Sequence, residues 1–175
     1  MTINFNQTFH KLLAEFELTT NFDFHIEIPT EIQEILEDKI INASHGITLS
    51  TFGKLPKPSS HSENQSIIED QTNHFHVDWH IESGDSKKEF MLGIKTLILL
   101  AEKFQKENIK GIRFWYTYQT PELAKLEEKS FNHSTGDDEY FSSDRLSFYR
   151  LREGENVISI HEIEHDFCSI MVIDI

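Results

Sequence analysis

The chain has 175 residues, 38% of them hydrophobic, which suits one domain around a single core. Its formal net charge is −14, from 30 acidic against 16 basic residues, and this argues against nucleic acid as a direct ligand, since phosphate binding needs basic clusters. A single cysteine, Cys168, excludes an internal disulfide; with no basic, apolar leader in MTINFNQTFHKLLAEF and no membrane-length apolar run, the expectation is a soluble, cytoplasmic protein.

Phe5, Phe9, Leu12, Leu13 and Phe16 recur at helical spacing and predict an amphipathic helix. FDFHIEI then alternates, with Phe22, Phe24, Ile26 and Ile28 on one side, and predicts a half-buried strand. Thr30-Glu31-Ile32-Gln33 has the form of a capping box opening a helix with Ile32, Ile35, Leu36 and Ile40 on its stripe, stopped by Gly46. ITLSTF reads as a strand. The polar stretch 53–72, with two prolines, reads as a long mobile loop rather than a domain boundary.

HFHVDWHIES is expected to be a strand, with Phe75, Val77, Trp79 and Ile81 facing the core. Ser86-Lys87-Lys88-Glu89 suggests a second capping box, before a helix of about 20 residues with Phe90, Ile94, Leu97, Ile98, Ala101 and Phe104 on its stripe. GIRFWYTYQ is a strand, and TPELAKLEEKSF a short helix with Thr120 as its cap and Pro121 first. LSFYRL, VISIHEIE and CSIMVIDI predict a C-terminal meander of three antiparallel strands. The pattern as a whole predicts an α+β domain, a largely antiparallel sheet with several helices packed on it.

HEIEH at 161–165 matches the H-E-x-x-H pattern of zinc peptidases, which needs a helix to bring both histidines to one ion. Its β-branched surroundings favour a strand, where His161 and His165 would stand about 13 Å apart, so the match is read as coincidental. A better metal candidate is His74, His76 and Asp78: alternate strand residues lie about 6.6 Å apart on one face, close enough to converge on zinc or another borderline divalent ion. His25 on a neighbouring strand is a further candidate ligand. No glycine-rich phosphate loop and no G-x-S-x-G elbow occur, so no catalytic residue is assigned and no cofactor is required.

The acidity is also local. Phe131–Ile175 carries ten Asp or Glu against three Arg, a net −7. Asp137, Asp138, Glu139, Asp144, Glu153 and Glu155, with Tyr140 and Phe141 as aromatic anchors, form a candidate surface for a basic protein partner. In being small, acidic and α+β, the chain resembles the immunity proteins of bacterial toxin systems, including contact-dependent growth inhibition. The resemblance lies in overall character, rests on no motif and transfers no residue role. It implies a non-enzymatic protein that neutralises a nuclease-type toxin domain; the alternative from the residues themselves is a metal-dependent enzyme or metal-binding protein.

Overall fold

The computed structural model describes residues 1–56, 64–81, 85–130, 143–155, 157–158 and 168–175. The fold is α+β, as the pattern predicts: among the described residues five helices accompany a four-stranded antiparallel sheet and a separate two-stranded one. Strand β1 (Thr2–Phe5) leads through Asn6 into α1 (Gln7–Glu15), and an extended segment then reaches α2 (Thr30–Glu37). A hairpin of β2 (Ile40–Ala43) and β3 (Gly46–Leu49) follows, then α3 (Gln65–Thr72) and the long α4 (Ser86–Lys106). Strand β4 (Ile112–Gln119), α5 (Pro121–Ser130), β5 (Ser143–Arg150) and β6 (Ser169–Asp174) complete the order.

The main sheet runs β1-β6-β4-β5, every pair antiparallel. Alternation along β4 sends Ile112, Phe114, Tyr116 and Tyr118 to one face, where α4 covers them with Phe90, Ile94, Leu97, Ala101 and Phe104. Helices α1 and α2 and the hairpin extend this core. On the opposite face Trp115, Tyr149, Ile170 and Val172 form a smaller cluster. Asn6 pins the sheet to α1: its Oδ1 accepts from the N–H groups of Phe9 (2.9 Å) and Ile170 (3.0 Å). Among the described residues no helix is long and apolar enough to cross a membrane.

Several expectations are corrected. Phe5 ends a strand instead of starting the helical stripe, because Thr2–Phe5 pairs with β6. Phe22, Phe24, Ile26 and Ile28 do turn toward the core while Asp23, His25 and Glu27 stay exposed, but no ladder forms, so the alternation reflects packing alone. Thr30 caps nothing; Pro29 occupies the cap position, and Gln33 Nε2 donates to the Ile28 carbonyl at 2.7 Å. Helix α2 ends at Asp38, whose carboxylate accepts from the Lys39 N–H, the Thr51 N–H and hydroxyl, and the Ser50 hydroxyl, so Ile40 belongs to β2. Gly46 lies in β3 rather than at a helix stop.

Within 53–72, α3 replaces part of the expected loop; residues 57–63 lie outside the described residues. At α4 the cap is Asp85, accepting from the Lys88 N–H at 3.1 Å, while Glu89 is buried and accepts from the Tyr118 hydroxyl at 2.9 Å. Thr120 caps α5 as expected, accepting from the Leu123 N–H at 3.3 Å. The meander is not formed: β6 has β1 on one side and β4 on the other, so it has no free edge for a preceding strand. HEIEH falls outside the described residues.

Candidate functional site

The HFHVDWH segment begins as a strand and abandons it. Phe75 exchanges two backbone hydrogen bonds with Leu146 of β5 (3.0 and 2.9 Å). The next inward N–H, that of Val77, is taken by a side chain: both carboxylate oxygens of Asp144 accept from it, at 2.9 and 3.1 Å. A side-chain acceptor competing with the ladder turns the backbone, and Asp78–His80 forms one turn of 3₁₀ helix. The expected strand is therefore corrected to a bridge and a turn. Phe75 and Val77 face the core as predicted, but Trp79 does not; it is 74% exposed.

The turn brings together residues 66 positions apart. Asp144 stands opposite Tyr118 in the β4–β5 register, on the face that α4 covers, and its side chain is fully buried. His76 Nδ1 lies 3.7 Å from Asp144 Oδ1, and donor atoms of His76, Asp78 and Asp144 lie within 4.8 Å of one another. The His76 ring stacks on Trp79, centroids 4.3 Å apart and planes 19° from parallel. Beneath the site the Tyr116 hydroxyl is sealed from solvent and has no hydrogen-bond partner among the described residues; Asp78 Oδ1 is likewise without one.

Burial raises the Asp144 carboxyl to about 8, with the Asp78 charge and a hydrogen bond shared with Asp78 adding to it, while the Val77 and Asp78 N–H groups oppose the shift. Tyr116 is pushed well above its ordinary value, first by burial and then by the charge of Asp144. Between the ordinary carboxyl range near 4 and about 8, the folded chain holds a proton that the unfolded chain has lost. Stability is thus greatest at the acid end of that window and declines as pH rises through it. In a chelator-containing buffer, raising pH from 5 to 9 should cost about 2 kcal/mol or more, and Asp144→Asn should flatten the slope. Melting temperatures across that range would read it; parallel slopes for the two proteins would refute it.

The remaining predicted residues are dispersed. His74 is exposed and donates from Nδ1 to the Gln71 carbonyl at 2.7 Å; its ring centroid is 6.0 Å from that of His76, and it does not join the converging group. His25 is exposed on the extended segment. Asp137, Asp138, Glu139, Tyr140 and Phe141 lie outside the described residues. Asp144 is corrected from a surface residue to a buried one. Glu155 accepts from the Ser66 N–H and hydroxyl (both 2.8 Å), an internal tie, whereas Glu153 is exposed in the turn that Gly154 permits with φ 77°.

All four arginines are turned to partners within the chain, and none is exposed. Arg113 grips Asp174 through two bonds of 2.8 Å, and Arg145 binds Asp70 at 2.7 Å while lying 5.1 Å from the Trp115 ring centre. Arg152 pairs with buried Glu69, and Arg150 bonds Asn42. Sequence reasoning missed the roles of Asp144, Tyr116 and Trp79. For Asp144 the one available signal was its place at the head of an apolar strand, where a carboxylate is out of character. Comparison with known proteins gives no match: no family model, no curated protein and no solved structure is similar to the chain.

Proposed function

We propose that the chain is a non-enzymatic binding protein whose acidic surface neutralises a basic protein partner. The observation that carries the reading is the placement of its arginines. With three of them paired to acids and Arg150 on Asn42, the exposed cationic side chains among the described residues are lysines, and exposed Asp and Glu outnumber them. Such a field speeds encounter with a basic groove and disfavours acidic competitors. Exposed Trp79, held flat against His76, supplies the rigid aromatic anchor that dominates many interfaces. The partner class that fits is a basic, nuclease-like toxin domain, whose phosphate-binding groove the carboxylates would occupy.

The test is capture of the tagged chain's partner from its host, followed by binding kinetics with the purified pair. Reversing charge at Asp137 and Asp138 should slow association about tenfold at low salt, and the effect should shrink at 0.5 M salt. Trp79→Ala should leave association nearly unchanged and speed dissociation about tenfold or more. An acidic partner, or an association rate indifferent to both salt and charge reversal, would overturn the reading.

A further inference from the structure

We propose that His76, Asp78 and Asp144 form a binding site for one zinc ion or a similar borderline divalent cation, independent of any protein partner. Asp144 is fully buried, with its carboxyl on the Val77 and Asp78 N–H groups and sharing a hydrogen bond with the Asp78 side chain; Asp78 keeps a sealed oxygen without a donor, and the Tyr116 hydroxyl has no partner among the described residues. Buried polar atoms left unsatisfied are costly. A divalent ion would satisfy both carboxylates at once.

The spacing supports it. Two ligands at ~2.1 Å on a tetrahedral ion lie about 3.4 Å apart. His76 Nδ1 and Asp144 Oδ1 are at 3.7 Å, so these two need almost no movement. The whole group spans up to 4.8 Å, and the adjustment would fall on Asp78, which is only half-buried and sits on a single 3₁₀ turn. Two of the ligands are already held in place. The Val77 N–H holds the Asp144 carboxylate, and Trp79 fixes the His76 ring by stacking. One imidazole and two carboxylates select zinc or manganese over calcium and magnesium, which prefer oxygen alone. His76 is a quarter exposed, which leaves room for a water to complete the coordination.

Trp79 makes the site observable. The chain has two tryptophans, and Trp115 is buried on the opposite face of the sheet. Metal-stripped protein titrated with zinc chloride should take up one ion per chain by calorimetry, with a matching saturable change in tryptophan fluorescence. Asp144→Asn and His76→Ala should each weaken binding at least tenfold, while His74→Ala should bind as the parent does. Trp79→Phe should bind zinc with its fluorescence response lost. A circular-dichroism melt reports whether each variant is folded, and if Asp144→Asn is not, His76→Ala decides. No saturable uptake would overturn the proposal. So would uptake unchanged by both substitutions, as expected of scattered surface histidines.

Discussion

Replacing Glu69 with alanine should destabilise the protein by about 3–5 kcal/mol. Glu69 projects from α3 with no solvent exposure and ties three elements together. Its Oε1 accepts from the Ile47 N–H of β3 at 3.2 Å and from Arg152, and its Oε2 accepts from the Arg150 N–H at the end of β5. Truncation would leave the Arg152 guanidinium half-buried without its main counter-charge and strand two backbone N–H groups. Glycine at 46 belongs to the same construction. A Cβ there would sit 2.6 Å from Glu69 Oε1, so the absence of a side chain admits the carboxylate to β3. Urea unfolding of Glu69→Ala and the parent, with equal slopes, measures the loss; a difference below about 1 kcal/mol would show that water replaces the carboxylate.

Gly93→Ala should cost about 3 kcal/mol, for the opposite reason of too much matter. A Cβ at that point in α4 would fall 2.0 Å from Tyr116 Cζ and 2.3 Å from its hydroxyl oxygen. The ring cannot yield. It is fully buried, with Phe90 and Tyr118 each 6.4 Å away, centroid to centroid. Overpacking a sealed core typically costs about 1–3 kcal/mol, and a contact this short belongs at the upper end. The melting temperature should drop by roughly 6–12 °C for a chain of this size. Tyr116→Leu in the same molecule should restore part of it, giving a favourable coupling in a double-mutant cycle. A Gly93→Ala protein that melts within 2 °C of the parent would mean that α4 can lift off the sheet.

The elements that sequence periodicity located well are those whose pattern is long and has a single cause. Helix α4 spans 21 residues with its apolar stripe inward, and β4 alternates through eight. Short elements were lost where one residue fits two patterns. Phe5 and Ile40 both continue a helical stripe, yet each lies in a four-residue strand, because pairing with β6 and with β3 outweighs one more turn of helix. The 22–28 segment shows the converse, since alternation records which side is buried and says nothing of whether a neighbouring strand exists. The site was legible only in part. His76 and Asp78 are visible as metal-competent side chains, but a carboxylate at the head of an apolar strand does not say which N–H it will take, and Asp144 takes that of Val77 and dissolves the expected strand.

The sheet order has a consequence for how the molecule comes to exist. Strand β6, the latest of the described elements along the chain, fills an interior position between β1 and β4. Until it arrives, β1 has no partner in the sheet, and the Asn6 side chain has no Ile170 N–H to accept. The Thr2–Asp174 pairing closes a loop of about 170 residues, an entropic toll met late in assembly and characteristic of slow folders. A ribosome-bound chain would therefore leave β1 unpaired and one edge of β4 open until β6 has been made. For a protein so acidic, mutual repulsion between nascent chains is a plain physical safeguard over that interval.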